Sequence, residues 1–488
     1  MLINPPVIAY QKKRSIFPVI NNLFFNSPPL GLAYIAAVLE REKIPVAIID
    51  AAVERLSLKH LLHRIKKFDP DVIGITSTTN LFDSALETAN KIKEYSLNAK
   101  LILGGSHFSA NPRHALSYGL FDIGIKGEGE VTFLELIRTL DRNDGLHKVK
   151  GLALRKRDEV FFTEPREFIE DLDSLPFPAR HLLPMERYIP QPNDQYLLPK
   201  LSMISSRGCP YGCIFCDKNI FGEKYRSFSP KYIISEMEHL ISNFGARDIA
   251  FLDSTFTVNE ERVEAIIDEM KKRNVKVRWT CTVRANVVTK ELLKKMRDAG
   301  CWRIRLGVES GNDRVLQFIK KGITKQQVKN VARWAHQLGL QPKGFFMIGH
   351  LVDTKKTIEE TIHFAKSLPF KDITVQINTP MPNTIQYEIY KDYGSLITDN
   401  YSKFSYWEPV FIPHGLSREY LLKAIHRFYR LFYFRPIIFW RHLCQIHRWY
   451  NVVKYLRSLN LIFCLFFGKL KYQNIEKNDK RDDARRYL

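Results

Sequence analysis

The chain has 488 residues, of which 45% are apolar and 26% are charged, as is typical of a folded globular protein. No apolar run reaches the roughly 20 residues that a membrane-spanning helix needs, so the sequence predicts no transmembrane segment. The net charge of +22 is uneven, because residues 415–488 hold 16 Lys or Arg against 5 Asp or Glu. We expect an intracellular protein of two or three domains.

The first part of the chain alternates short apolar runs with helical periodicity. The apolar runs are residues 46–50, 71–76, 100–105 and 122–127. Buried strands that alternate with helices predict a parallel, doubly wound sheet, in which ligands bind beyond the carboxyl ends of the strands. The segments expected there are small, polar and Gly-rich, which suits close approach to a large ligand. They are residues 76–80, 104–108 and 126–130.

The rest of the chain divides into three further regions. A hairpin is expected soon after residue 145, followed by a proline-rich stretch that suits neither a long helix nor a central strand. Six strand–helix units then predict a (βα)6 partial barrel, whose chemistry lies at the carboxyl ends of its strands. An aromatic, basic and helical C-terminal region ends in a charged tail. The predicted domains are residues 1–145, 146–198 (the linker with the hairpin), 199–395 (the barrel) and 396–488.

Three of the seven cysteines lie in one short segment, CPYGCIFC at residues 209–216. Cys209, Cys213 and Cys216 follow the first strand of the predicted barrel, at its functional end. Three thiolates on one loop can surround a single metal centre, and thiolates favour zinc or an iron–sulfur cluster. Structural zinc usually has four ligands, whereas three suit a four-iron cluster with one open iron. A zinc knuckle completed by a distant residue is the alternative.

The spacing Cys-x3-Cys-x2-Cys, with an aromatic residue before the last cysteine, resembles the radical S-adenosylmethionine (SAM) superfamily. The resemblance implies a 4Fe-4S cluster whose open iron binds SAM and whose electron cleaves it to a 5′-deoxyadenosyl radical. The residues that it implies as SAM contacts are Phe215, Asp253, Arg284, Glu309 and Ser310. The chain departs from many relatives at Ser254, where a second acid is common, and at His350, where Leu-Pro is common.

The N-terminal region resembles the subfamily of these enzymes that carries a cobalamin-binding domain. The segments that carry the resemblance are LINPP, PPLGLAYIAAVLE, GGSHFSANP, KGEGEVTFLEL and LPFPAR. The implied cobalamin contacts are Ser77, Thr78, Gly104, Gly105, His107, Gly127 and Glu128. The Asp-x-His-x-x-Gly motif of other corrinoid proteins is absent after the first strand, so no lower axial histidine is expected. A domain that keeps the fold and binds nothing is the alternative.

The C-terminal segment 415–470 holds 14 aromatic residues interleaved with Arg, Lys and His. One interpretation is peripheral membrane contact, in which basic residues face anionic lipid and aromatic residues face the acyl boundary. The other is a helical lid whose aromatic residues belong to the core. We expect no nucleic-acid partner, and we expect a cytoplasmic location with at most peripheral contact at the inner membrane face.

The resemblance implies an enzyme that uses a 4Fe-4S cluster, SAM and cobalamin. The reaction expected first is methylation of an unactivated carbon in a hydrophobic or natural-product-like small molecule. The alternative is cyclisation or rearrangement of a tetrapyrrole or an isoprenoid lipid, as in anaerobic magnesium-protoporphyrin ester cyclase. A non-catalytic metal-binding protein is a third class. An electron donor such as flavodoxin or ferredoxin is also implied.

Overall fold

A computed structural model describes residues 1–7, 27–95, 98–157 and 159–435. Residues 436–488, which include most of the segment predicted to contact a membrane, lie outside the described residues. Two large sheets with flanking helices dominate the described part of the chain. The predicted fold class, a doubly wound sheet followed by a partial barrel and a helical region, is confirmed.

The first sheet has seven strands. They are β1 (Leu2–Asn4), β2 (Ile48–Asp50), β3 (Val72–Thr76), β4 (Lys100–Gly104), β5 (Ile123–Ile125), β6 (Leu152–Lys156) and β7 (Glu159–Phe162). Their order is β2-β1-β3-β4-β5-β6-β7, and β1 to β5 run parallel. The predicted hairpin forms β6 and β7, which extend this sheet in antiparallel pairing. Because the strand order reverses between β1 and β3, a ligand crevice is expected at that point.

Helices cover both faces of the first sheet. They are α1 (Leu30–Arg41), α2 (Leu58–Phe68), α3 (Phe82–Glu94), α4 (Ser106–Ala110), α5 (Pro112–Ser117) and α6 (Glu130–Asp141). Successive strand residues face opposite sides, so Leu2 packs with α1 and α6 while Ile3 packs with α2 and α3. This two-faced packing explains why the strands read as continuous apolar runs.

The second sheet is the partial barrel. Its strands are β8 (Lys200–Met203), β11 (Asp248–Phe251), β12 (Arg278–Val283), β13 (Cys301–Glu309), β14 (Gln341–Ile348) and β15 (Asp372–Ile377). All six run parallel in the order β8-β11-β12-β13-β14-β15. Two short strands, β9 (Ser206–Arg207) and β10 (Arg226–Ser227), pair in an antiparallel ribbon. This ribbon closes the loop that carries the three cysteines.

Helices follow the barrel strands and pack on the outside of the sheet. They are α7 (Pro230–Phe244), α8 (Glu260–Lys272), α9 (Lys290–Asp298), α10 (Asp313–Phe318), α11 (Lys325–Gln337) and α12 (Lys355–Ser367). Each begins after a side chain that accepts a hydrogen bond from a first-turn N–H, which defines its start. These capping residues are Ser229, Asn259, Thr289, Asn312, Thr324 and Thr354.

The last described elements are α13 (Ile385–Ile389), the hairpin β16 (Gly394–Leu396) with β17 (Phe411–Pro413), and α14 (Arg418–Tyr433). Aromatic residues of α14 are buried against the barrel, and the hydroxyl of Tyr429 donates to the carbonyl of Val375 at 3.1 Å. This part of the aromatic segment therefore belongs to the core. No helix in the described ranges has the length and apolarity needed to cross a membrane.

Candidate active site

The three cysteines lie on the loop between β9 and β10. Gly208 begins it with φ of +80°, where an added Cβ would approach the carbonyl oxygen of Lys224 to 2.0 Å, so only glycine fits there. Ile214, inside the cysteine segment, donates its N–H to Ile319 O and accepts from the N–H of Gln386. The loop is thus anchored to the segment that follows α10 and to the first turn of α13.

The thiols lie close enough together to influence one another. Desolvation of the thiol, followed by the charges of Cys213 and Cys209, raises the pKa of Cys216 to about 12, although the residue as a whole is exposed. Three adjacent thiolates would therefore need a cationic centre to offset their repulsion. Among the described residues, no three His, Cys, Asp or Glu side chains form a ready chelate for one ion. In a 4Fe-4S cluster each cysteine binds a different iron atom, so the three thiols need not converge on a single ion. The three cysteines therefore fit such a cluster.

Arg284 lies at the carboxyl end of β12, against the cysteine loop. Its Nη1 donates to Cys213 Sγ at 3.6 Å, and its guanidinium lies 3.8 Å from the ring centre of Tyr211. Asn286 accepts from its Nε at 2.9 Å. The structure thus brings one predicted SAM-binding residue to the most buried of the three loop cysteines.

Two other predicted SAM contacts have their polar atoms engaged within the protein. Asp253, at the end of β11, accepts hydrogen bonds from Ser205 N, Ser205 Oγ and Ser206 Oγ at 2.7, 2.5 and 2.8 Å. These serines lead directly into the cysteine loop, so Asp253 supports its entry. Ser310 Oγ pairs with Thr361 and accepts from Asn312 N.

Glu309, at the end of β13, has an unusual backbone conformation for a residue with a side chain. Its φ is +64°, and the register of β13 against β14 shifts beside it. Lys321 Nζ donates to its carboxylate at 2.6 Å and lies 5.9 Å from the ring centre of Phe215. Lys321 was not predicted from the sequence, because it belongs to none of the strand-end motifs.

Two buried polar side chains follow β14 and β15. His350 has no exposed surface, and within the described residues neither of its ring nitrogens has a hydrogen-bond partner. Burial, with a smaller effect of Lys321, lowers the pKa of His350 to about 3, so the imidazole is neutral. Asn378 is 1% exposed, and both of its amide atoms likewise find no partner there. His350 and Phe215 have ring centres 6.0 Å apart.

A cavity of about 1230 Å³ lies between the first sheet and the cysteine loop. This volume exceeds that of most pockets for drug-sized ligands. Five of the predicted cobalamin contacts line it, namely Thr78, Gly104, Gly105, Gly127 and Glu128. Gly105 has φ of +97°, and an added Cβ would lie 2.6 Å from Ser77 O. The floor of the cavity is therefore open backbone, which fits the broad face of a corrinoid.

Ser77 and His107 lie beneath that floor rather than in the lining. Ser77 is 2% exposed and uses its backbone to bind Gly104 O and His107 N. The His107 ring packs 4.2 Å from the ring centre of Phe82 and 5.1 Å from that of Tyr401. Burial lowers the pKa of His107 to about 3. Both residues support the strand ends from within the domain.

Glu128 joins the first sheet to the cysteine loop. Its carboxylate accepts from Arg207 at 2.8 Å and from Arg226 at 3.0 and 2.9 Å, and Glu130 accepts from Arg207 at 2.6 Å. All four side chains are buried. Because Arg207 lies on β9 and Arg226 on β10, this network fixes the ribbon that closes the cysteine loop.

The opposite wall of the cavity comes from residues that sequence reasoning missed. Apolar and aromatic side chains of distant segments line it, namely Ile220, Phe221, Met381, Phe404, Tyr406 and Trp407. Ile377 N donates to Tyr406 O at 2.8 Å, so this wall is attached to the end of β15. Tyr406 lines this cavity together with Asp217 of the cysteine loop.

Comparison with known proteins agrees with this arrangement. Residues 203–365 match the radical SAM superfamily, and residues 18–137 match the B12 binding domain. An uncharacterized methyltransferase of Pyrococcus horikoshii is 34% identical over 438 residues, which cover 89% of this chain and 94% of that protein. The chain belongs to the radical SAM superfamily. The matched radical SAM region begins in β8 and includes the cysteine loop.

Other proteins are similar to most of this chain. Anaerobic magnesium-protoporphyrin IX monomethyl ester cyclase of Cereibacter sphaeroides is 29% identical and covers 85% of this chain and 69% of that protein. The solved radical SAM methyltransferase TsrM of Kitasatospora setae, with cobalamin and a 4Fe-4S cluster bound, has a TM-score of 0.69 at 16% identity, covering 89% of both chains. This likeness shows a shared fold.

The protein is therefore a cobalamin-dependent radical SAM enzyme, related to methyltransferases and to a cyclase. The predicted cofactors, a 4Fe-4S cluster, SAM and cobalamin, are confirmed by these comparisons. A small-molecule substrate is consistent with such an enzyme. The zinc-knuckle alternative and the non-catalytic alternative are set aside.

Proposed function

We propose that this enzyme methylates an unactivated carbon of a hydrophobic small molecule. The observation that carries the proposal is the shared cavity, because strand ends of the first sheet and the cysteine loop residues Asp217, Ile220 and Phe221 line one space. When bound, SAM and the cluster supply a radical that abstracts hydrogen, and cobalamin supplies the methyl group. The chain's own side chains orient these groups and exclude water from them.

We assign the ligands as follows. Cys209, Cys213 and Cys216 hold the cluster, and Arg284 donates to one of their sulfurs. The SAM side of the site comprises Phe215, Arg284 and Glu309, with Lys321 paired to Glu309. Asp253 and Ser310 act as positioning residues. Cobalamin lies on the floor formed by Thr78, Gly104, Gly105, Gly127 and Glu128, with Ser77 and His107 supporting it from below.

The lining of the cavity supports an apolar substrate. The wall opposite the cobalamin floor includes Met381, Phe404, Tyr406 and Trp407. Within the described part of the chain, the cationic residues that line the cavity, Arg207 and Lys403, both have partners. A strongly anionic substrate would need unpaired cations there.

Methylation can be tested without knowing the substrate. Holoenzyme reconstituted without oxygen is reduced and incubated with SAM that carries a deuterated methyl group. The proposal predicts S-adenosylhomocysteine together with deuterated methylcobalamin, both measured by mass spectrometry. If 5′-deoxyadenosine forms while S-adenosylhomocysteine and labelled cobalamin stay at background, methylation is wrong. That result would favour ring closure, the second candidate, which the 29% identical cyclase supports.

Two partner assignments complete the proposal. We propose an acidic flavodoxin or ferredoxin as electron donor, because the net charge of +22 favours such a partner. Cluster reduction by either protein should slow steeply as salt increases. We also propose that the enzyme is cytoplasmic and contacts a membrane peripherally through residues 415–470. Within that segment, the buried residues of α14 belong to the core of the protein. The support is the basic, aromatic sequence of 436–470, and failure of the full chain to bind anionic liposomes would contradict it.

A further inference from the structure

The segment LPFPAR, residues 175–180, crosses from the first sheet to the partial barrel. Ala179 belongs to the hydrophobic core of the first sheet, and its N–H donates to Ala33 O of α1 at 3.0 Å. The Phe177 ring centre lies 5.0 Å from that of Tyr232 on α7 of the barrel. The segment therefore contacts both parts of the protein.

Arg180, the last residue of this segment, is bound to the barrel by its side chain. It is 1% exposed, and its Nη2 donates to Ser202 O of β8 at 2.9 Å and to Glu236 Oε1 of α7 at 2.6 Å. Glu236 has no exposed surface. The next residue, His181, instead hydrogen bonds Glu40 of α1 at 2.9 Å on the surface. Two neighbouring side chains thus bind the two parts of the protein, one in the interior and one in solvent.

The buried Arg180–Glu236 pair is a poor source of stability. Burial raises the pKa of Glu236, and the attraction of Arg180 offsets that effect only in part. Within the described residues, Arg180 Nε and Nη1 and Glu236 Oε2 have no hydrogen-bond partner. Replacing a buried ion pair by apolar side chains is often neutral or stabilising. A role in fixing the geometry between the two parts accounts for the pair better than a role in stability does.

The two cofactor sites lie on the two parts that this pair joins. The cobalamin floor belongs to the first sheet, whereas the cysteine loop follows β8 and β9 of the barrel. Helix α1 is buried between them, because Tyr34 packs into the barrel core and Ala33 into the core of the first sheet. We propose that Arg180 is a positioning residue that sets the distance between cobalamin and the cluster. This inference rests on the cofactor sites assigned under the proposed function, and methylation enters only in its second readout.

The distance can be measured between two paramagnetic centres of the holoenzyme. Reduction with dithionite gives a paramagnetic cluster and cob(II)alamin, and pulsed electron paramagnetic resonance reports their dipolar coupling without any substrate. We expect one narrow distance distribution in the wild type and a broader, displaced one in the double variant Arg180→Met with Glu236→Leu. The Tm of this variant should equal or exceed that of the wild type, so the displacement is not a loss of fold. His181→Gln is the matched control and should keep the wild-type distribution.

A second readout is the ratio of S-adenosylhomocysteine to 5′-deoxyadenosine. Because the cluster and SAM both lie on the barrel, the double variant should still form 5′-deoxyadenosine. Methyl transfer to cobalamin should slow by up to about 100-fold for a displacement of about 1 Å. Rates and ratios in the control should match the wild type.

The distance distribution decides the inference. A double variant with the wild-type distribution would overturn it and leave the pair a structural role only. Should the double variant fail to fold, Glu236→Gln is measured in its place, where a displaced distribution supports the inference and an unchanged one overturns it. If the wild type shows the dipolar coupling but forms no S-adenosylhomocysteine, the proposed methylation fails while the role of Arg180 is still decided by the distance.

Discussion

Arg284 donates a hydrogen bond to the sulfur of Cys213 across 3.6 Å, from a guanidinium that stacks on Tyr211. Positive charge and hydrogen bonds near a cysteine ligand stabilise the more negative, reduced form of an iron–sulfur cluster. Arg284, which directly follows β12, thus brings both a positive charge and a hydrogen-bond donor to the cysteine loop. We therefore expect the reduction potential of the cluster to depend on this side chain.

Arg284→Gln should make the cluster harder to reduce. Loss of a charged hydrogen bond worth roughly 1.5–3 kcal/mol corresponds, for this one-electron couple, to a midpoint potential lower by on the order of 65–130 mV. Redox titration followed by electron paramagnetic resonance measures the shift. Arg278→Gln is the matched control, because Arg278 begins the same strand and also stacks on a tyrosine, Tyr196, at 4.9 Å. Equal potentials in both variants would contradict the assigned contact.

Glu128→Gln should weaken the junction between the first sheet and the cysteine loop. An amide cannot neutralise the buried guanidinium groups of Arg207 and Arg226, and removing one member of a buried ion network costs about 3–5 kcal/mol. Thermal unfolding should therefore show a lower Tm. Glu170→Gln is the control, since Glu170 pairs with Lys224 on the surface and should cost about 1 kcal/mol or less. A Tm as high as that of the control would refute the role of the network.

Gly105→Ala should disturb the cobalamin floor. A side chain at φ of +97° is strained, and its Cβ would lie 2.6 Å from Ser77 O, so the strand end must shift. We expect a lower Tm. We also expect the variant to lose cobalamin during gel filtration, which the absorbance of the protein fraction measures. Gly31→Ala serves as the Tm control, because an added Cβ there meets nothing within 4 Å. Retention of cobalamin by the Gly105 variant at wild-type levels would argue against the floor as the binding surface.

Because of Asp353, the free energy of unfolding should change with pH in the mildly acidic range. Burial raises the pKa of its carboxyl to about 6, above that of an unfolded aspartate. The folded state therefore binds its proton more tightly, and stability from this group is present below about pH 4 and is lost as pH rises through 6. The Tm of the wild type minus that of Asp353→Asn should therefore be larger at pH 5 than at pH 7.5. A difference in Tm that is constant across this range would exclude the raised pKa.

Much of the fold was predictable because its signals are local. Strand and helix periodicity alternates along the chain, and the three cysteines stand within one loop, so both the sheets and the cluster loop follow from short segments. Strand-end glycines such as Gly105 were found by the same rule. That rule also selected Ser77 and His107, which are buried under the strand ends, because sequence does not show which way a loop residue faces.

The cavity wall opposite the cobalamin floor, and the partner of Glu309, could not be predicted from the sequence. Tyr406 and Met381 reach the cavity only after the chain has passed through β15 and turned back over the cysteine loop. Lys321 meets Glu309 through a turn after α10, with no motif to mark it. These contacts arise from tertiary packing between distant segments. In the sequence, His350 was noted only because many relatives have a different residue there. Its burial could not be predicted from that difference.

The central claim is that three cysteines of one loop hold a cluster that cleaves SAM. Iron content and 5′-deoxyadenosine formation should be measured together after anaerobic reconstitution, in the wild type, in Cys213→Ala and in Cys301→Ala, whose cysteine is buried in β13 away from the loop. We predict about four irons per chain and SAM cleavage in the wild type and in Cys301→Ala, with both lost in Cys213→Ala. Wild-type protein that stays free of iron and leaves SAM intact would contradict the account.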